Sequence, residues 1–109
     1  MKRRLASLVY SIPLLLFLCA CDGGTNIRGY VRDPKGQPIP GASVTLTVRE
    51  RITSASSNAQ GYYHVGMIHS PFRVDETLVA YKDGFVPFRK EFSSHDHLQN
   101  VDITLRPAR

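Results

Sequence analysis

From Ile27 onward, apolar and polar residues alternate in short runs broken by turn residues. Ile27, Gly29 and Val31 alternate with Arg28, Tyr30 and Arg32. Ala42, Val44, Leu46 and Val48 then point one way while Ser43, Thr45, Thr47 and Arg49 point the other. This period of two is the mark of a strand with one buried face. Arg51 to Ser56 is polar and β-branched, as an exposed strand is, and Tyr63, Val65 and Met67 alternate with Tyr62, His64 and Gly66. Thr77 to Tyr81 is an almost continuous apolar run, Val86 to Phe92 alternates around Pro87, and Val101, Ile103 and Leu105 close the pattern. Proline has no amide to give to a sheet ladder, so Pro87 predicts an edge strand or a strand's first residue. The connections are equally plain: "DPKGQPIPG" from Asp33 to Gly41 holds three prolines and two glycines, and "SSNAQG", "KDG" and "SSHDHLQN" are polar turns or loops. No segment shows a helical period. About seven short strands at this spacing predict an all-β fold, an antiparallel β-sandwich over residues 27–109, with no internal repeat.

The first twenty residues follow a different rule. Met1-Lys2-Arg3-Arg4 is a positive start, and Leu5 to Ala20 is an apolar core interrupted by Ser7, Ser11 and Pro13. That run is shorter than the roughly 20 uninterrupted apolar residues that a spanning helix needs, and it has the layout of an export signal. It ends at Leu18-Cys19-Ala20-Cys21, which resembles the bacterial lipobox: an aliphatic residue, a small residue before the cut, then the cysteine that carries lipid. The resemblance implies cleavage between Ala20 and Cys21, diacylglycerol on the Cys21 thiol and a further acyl chain on its freed amine. Bulky Leu18 disqualifies Cys19 as the modified residue. A C-x-C redox pair is the competing reading, but no βαβ pattern surrounds it. In enterobacterial lipoproteins of this kind, aspartate after the lipidated cysteine usually retains the protein in the inner membrane, which gives Asp22 a sorting role. The expected organisation is therefore a signal peptide over 1–20, a lipidated tether over 21–26 and the sandwich over 27–109. Extended, the five residues from Asp22 to Asn26 reach at most about 17 Å.

This reading changes the meaning of the charge. The formal net charge of +5 includes Lys2, Arg3 and Arg4; without them eleven basic residues stand against nine acidic ones, a net of +2. The remaining charges are interspersed, as in Arg49-Glu50-Arg51 and Lys90-Glu91, and no basic stripe with interleaved aromatics appears. Nucleic acid is not an expected partner. The expected partners are a membrane, reached through lipid, and a protein of the cell envelope.

Within the sandwich, "GYVRDPKGQPIPGASVTL" closely resembles the opening of the carboxypeptidase regulatory-like domain. The matching residues are Gly29, Val31, Asp33, Gly36, Pro38, Ile39, Gly41, Ala42, Val44 and Leu46. Gly61, Tyr63 and Val65 match a later turn-then-strand element, and Gly84 and Phe85 a glycine-aromatic turn. The resemblance implies a transthyretin-like β-sandwich that serves as an accessory module and not as a catalyst. Read residue by residue, the first stretch is structural. Gly29 allows close backbone approach, Asp33 can accept from the amides of its own turn, and Ala42, Val44 and Leu46 fill a core.

His95-Asp96-His97 is the most metal-like feature, since residues two apart share a strand face. A structural zinc site needs four ligands and a catalytic one usually three, however, and His64 and His69 lie at no recognisable spacing from this pair. No metal and no cofactor is expected. The same general fold houses hydroxyisourate hydrolase, whose C-terminal Tyr-Arg-Gly-Ser has no counterpart in the ending Leu105-Arg106-Pro107-Ala108-Arg109. Ser43, Ser54, Ser56 and Ser57 lack a nucleophile elbow, so no catalytic residue is assigned. Tyr30, Tyr62, Phe72, Tyr81, Phe85, Phe88 and Phe92 leave a second class open, a carbohydrate- or peptidoglycan-binding module. The absence of tryptophan weakens that class, and a protein-binding face or the edge near Pro87 is the preferred reading.

Overall fold

The structure is a computed structural model that describes residues 23–69, 73–93 and 99–109. It contains seven strands: β1 (Gly23–Arg32), β2 (Ser43–Val48), β3 (Arg51–Ser56), β4 (Tyr62–His69), β5 (Asp75–Tyr81), β6 (Phe88–Ser93) and β7 (Ile103–Thr104). They form a three-stranded sheet in the order β4-β1-β7 and a four-stranded sheet in the order β3-β2-β5-β6. The apolar faces of the two sheets meet, and every buried apolar side chain among the described residues lies between Ile27 and Leu105. Among the described residues, the core and both sheets thus lie between Gly23 and Arg109. No helix among the described residues is long and apolar enough to cross a membrane.

The alternation in the sequence is the alternation of faces. Val44, Leu46 and Val48 of β2 are buried, as are Ile27 and Val31 of β1 and Tyr63, Val65 and Met67 of β4. Pro87 lies just outside β6, which starts at Phe88 and forms an edge of the four-stranded sheet, so the edge reading of that proline holds. All pairings are antiparallel except β1 with β7, where Val31 aligns with Ile103 and Arg32 with Thr104 in parallel.

Two details fix how the family-like stretch works. Asp33 Oδ1 accepts from the amides of Lys35 and Gln37, both at 2.9 Å, and closes its own turn. At Gly29 a Cβ would stand 2.1 Å from the carbonyl oxygen of Val101, so only glycine lets β1 lie against that segment.

Two expectations need correction. Gly23 to Asn26 belong to β1 and not to a tether, with Gly23 opposite His69 and Asn26 opposite Gly66. The glycines read as a linker, but Thr25 faces the core at 8% exposure and its hydroxyl lies 2.7 Å from His69 Nε2, which draws the segment into the sheet. The fifth strand likewise starts earlier than its apolar run, at Asp75, and carries Glu76 onto the buried face.

Candidate functional site

Two groups of chemically capable side chains emerge. The first is buried between the sheets at the end where β1 begins. His69 closes the inner face of β4, Thr25 sits beside it on β1, and Glu76 faces them from β5. The Glu76 side chain is 0% exposed, and its Oε1 is 3.9 Å from His69 Nε2. Neither carboxylate oxygen has a hydrogen-bond partner among the described residues. The hydroxyl of Thr25 and the carboxylate of Glu76 both approach the same ring nitrogen. A hydroxyl-histidine-carboxylate relay requires the acid on one nitrogen and the nucleophile on the other. This geometry therefore does not build a relay.

The second group is the outer face of the three-stranded sheet. β1 presents Arg28, Tyr30 and Arg32 there, opposite His64, Tyr62 and Thr104 in register. Tyr30 is 38% exposed and packs edge-on against Tyr62, with ring centroids 5.5 Å apart and planes at 66°. The Arg32 guanidinium lies 4.5 Å from the centre of the Tyr30 ring, in a cation-π contact. Asp102 Oδ1 accepts from the Tyr30 amide at 2.9 Å and holds that strand segment in place. Neighbouring His64 reaches Asn26 Oδ1 at 3.2 Å and is exposed, as its strand position implied. The result is a patch in which Tyr30, Tyr62 and Arg32 pack on one another, with exposed Arg28 beside them on the same face of β1. Strict strand alternation puts these residues on one face, so the sequence pattern contained them; their mutual packing across strands it did not.

Behind this face Tyr63 points inward and its hydroxyl donates to the Val101 carbonyl at 2.6 Å. Burial, and then the charge of Asp102, push the Tyr63 phenol well above the ordinary tyrosine value. A raised acid stabilises the fold fully below its unfolded value and loses that contribution as pH climbs past it. Stability should therefore fall above about pH 10, by up to about 1.4 kcal/mol per pH unit from this group. Tyr63→Phe should flatten that alkaline limb while costing about 1 kcal/mol at neutral pH, because Val101 loses its donor. Urea midpoints across pH 8 to about 11 read both effects.

The other sequence-derived positions are quickly placed. Cys21, Asp22, Phe72, His95 and His97 lie outside the described residues. Among the described residues no group of three or more His, Cys, Asp or Glu side chains is arranged to hold a metal ion. Glu76 is a polar core residue that pattern reading missed, because a charged residue beside an apolar run reads as the run's end.

Taken together, the strand order, the parallel β1–β7 pair and the buried faces define a transthyretin-like β-sandwich. Residues 26–106 match the model of the carboxypeptidase regulatory-like domain, and the chain belongs to that family. None of the curated proteins matches the sequence. Solved structures agree on the fold. 5-Hydroxyisourate hydrolase from Klebsiella pneumoniae is similar with a TM-score of 0.58 at 18% identity, over 78% of this chain and 93% of that one. Chlorocatechol 1,2-dioxygenase from Pseudomonas putida is similar with a TM-score of 0.58 at 13% identity, over 81% of this chain and 61% of the enzyme. 3-Chlorocatechol 1,2-dioxygenase from Rhodococcus opacus 1CP gives 0.60 at 8% identity, over 78% of this chain and 60% of the enzyme. The chain thus spans about three-fifths of each dioxygenase. At these identities the likeness is one of fold, and fold alone carries no activity.

Proposed function

We propose that this protein is a membrane-anchored bacterial lipoprotein, cut between Ala20 and Cys21 and lipidated on Cys21, with Asp22 favouring the periplasmic side of the inner membrane. Its sandwich is a non-catalytic accessory domain that recruits or supports a protein of the cell envelope. The observation that carries the recruiting role is the packing of exposed Tyr30 with half-buried Tyr62 and Arg32 on the outer sheet face, beside exposed Arg28. Tyrosine and arginine are the residue types that dominate protein-protein binding energy, and here they stand on a rigid sheet. A glycan platform needs a free aromatic face. Arg32 covers one face of Tyr30 and Tyr62 meets it edge-on, which favours a protein over a carbohydrate or peptidoglycan ligand.

A photo-crosslinking residue at Tyr30 or Tyr62 should give one defined adduct in cells. The adduct should vanish in Arg28→Glu/Arg32→Glu and be absent when the crosslinker sits at Tyr81. Retention of the domain on peptidoglycan, lost on changing the same tyrosines, would favour the glycan ligand instead. Anchoring has its own measurement. Two or three acyl chains give stable attachment where one does not, at about 0.8 kcal/mol per buried CH₂. Cys21→Ala should abolish palmitate labelling and move the protein out of the membrane fraction. A processed, lipid-labelled Cys21→Ala species would overturn the lipoprotein reading.

A further inference from the structure

One end of the sandwich gathers features that neither the family nor the patch explains. β1 starts there, at Gly23 opposite His69. The β2–β3 turn is there too, because Val48 pairs with Glu76 and Arg51 pairs with Val48, and Glu76 faces His69 across the core. This end carries Arg49, Arg51 and Arg73, all exposed. Glu50 and Asp75 share the surface, yet among the described residues no carboxylate is ion-paired with any of the three guanidiniums. Arg49 and Arg73 line one cleft of about 570 Å³ with Val74 and Asp75. Arg49 holds a left-handed backbone at φ 57, a conformation better suited to glycine or asparagine. The two most exposed large apolar side chains, Ile52 at 68% and Ile68 at 70%, line a groove between β3 and β4 at the same end. Arg51 ties the two strands by donating to the Ile68 carbonyl at 2.6 Å.

We infer that this end is a membrane-docking surface, with phospholipid headgroups as its occupant. The inference rests on the lipid-anchor reading for its orientation: only Asp22 separates Cys21 from β1, so the acyl chains enter the bilayer within a few ångströms of this end. Guanidiniums match phosphate geometry, and exposed isoleucines beside them suit the boundary between headgroups and acyl chains. The anchor and the surface together hold the sandwich upright, with β1 rising from the membrane. The far end, at Tyr81, stands five residues along β5 from Glu76, about 17 Å further out.

The chain holds no tryptophan, and Cys21 is the one thiol from residue 21 onward. Residues 21–109 coupled through Cys21 to a maleimide phospholipid can therefore report position through a single introduced tryptophan. In vesicles of brominated phosphatidylcholine and phosphatidylglycerol, Ile68→Trp should be quenched and Tyr81→Trp should not. Removing arginines should weaken docking about fivefold each. Arg49→Gln/Arg51→Gln/Arg73→Gln tests this directly, and Arg49→Gly/Arg73→Gln repeats it with the Arg51–Ile68 tie kept and the backbone at residue 49 relaxed. Urea midpoints confirm that each variant folds. Equal quenching at both positions, no quenching at Ile68→Trp, or quenching indifferent to the arginines would overturn the docking surface. Because the coupling is chemical, this result is independent of lipidation in cells, which Cys21→Ala tests separately.

Discussion

Gly29→Ala is expected to remove a large part of the domain's stability. The added Cβ would meet the Val101 carbonyl oxygen at 2.1 Å and its carbon at 2.7 Å, and both are backbone atoms that cannot step aside. The Arg28 amide donates to Gln99, the Val101 amide donates to Arg28, and the Tyr63 hydroxyl donates to Val101. Moving the Val101 segment away would break these bonds together and detach the parallel β7. A loss of about 4 kcal/mol or more follows, against a total near 5–10 kcal/mol for a domain of this size. Gly36→Ala is the control. Its φ is +86, but nothing lies within 4 Å of the added atom, so only the backbone penalty applies, about 1 kcal/mol. Urea denaturation followed by circular dichroism measures both. Similar midpoints for the two variants would show that β1 and the Val101 segment are not held by this close approach.

Gly29 also marks how far the sequence could be read. Its place in an alternating run, where an apolar side chain belongs, signals close packing of backbone on backbone. The partner is 72 residues away, and no local pattern names it. The same division runs through the fold. β2 was fully legible, since four apolar residues at period two have one way to lie on a core. The Asp33 turn was legible because its bonds are made within four residues. The strand order and the parallel β1–β7 pair were not, being set by which edges remain free once both sheets close.

The misread residues share a physical cause. Gly23 and Gly24 looked like a linker because glycine disfavours strands, and Thr25 and Asn26 carry no apolar signal. Pairing with Met67, Ile68 and His69 overrides that preference. The surface patch was half legible: the alternation puts Tyr30 and Tyr62 on outward strand positions, but Arg32 stacking on Tyr30 depends on the twist and spacing of the finished sheet. The docking end was legible only as scattered charge. Arg49-Glu50-Arg51 reads as a neutralised run, and it took the fold to bring Arg73, Ile52 and Ile68 alongside it.

His69→Leu is expected to destabilise the domain by about 3 kcal/mol, while Glu76→Leu is expected to be neutral or stabilising by 1–2 kcal/mol, roughly. The asymmetry follows from burial. Glu76 has a side chain with 0% exposure and His69 Nε2 at 3.9 Å from its carboxylate, too long for a hydrogen bond. Removing the histidine leaves a buried carboxylate beside an apolar group. Removing the carboxylate instead puts leucine between Val48 and Phe92, its neighbours in register, on a face that also holds Leu78. The double variant should recover most of the loss from His69→Leu, since the buried carboxyl group left without a polar neighbour is then gone. Urea midpoints at neutral pH for the two single variants and the double give the coupling directly. If Glu76→Leu costs as much as His69→Leu, the carboxylate contributes to stability and the asymmetry fails. If the asymmetry appears, the polar pair is retained against stability at the end of the sandwich where β1 meets β4. One service it can render there is register: a one-residue slip of either strand would turn Thr25 or His69 outward and leave Glu76 facing apolar side chains.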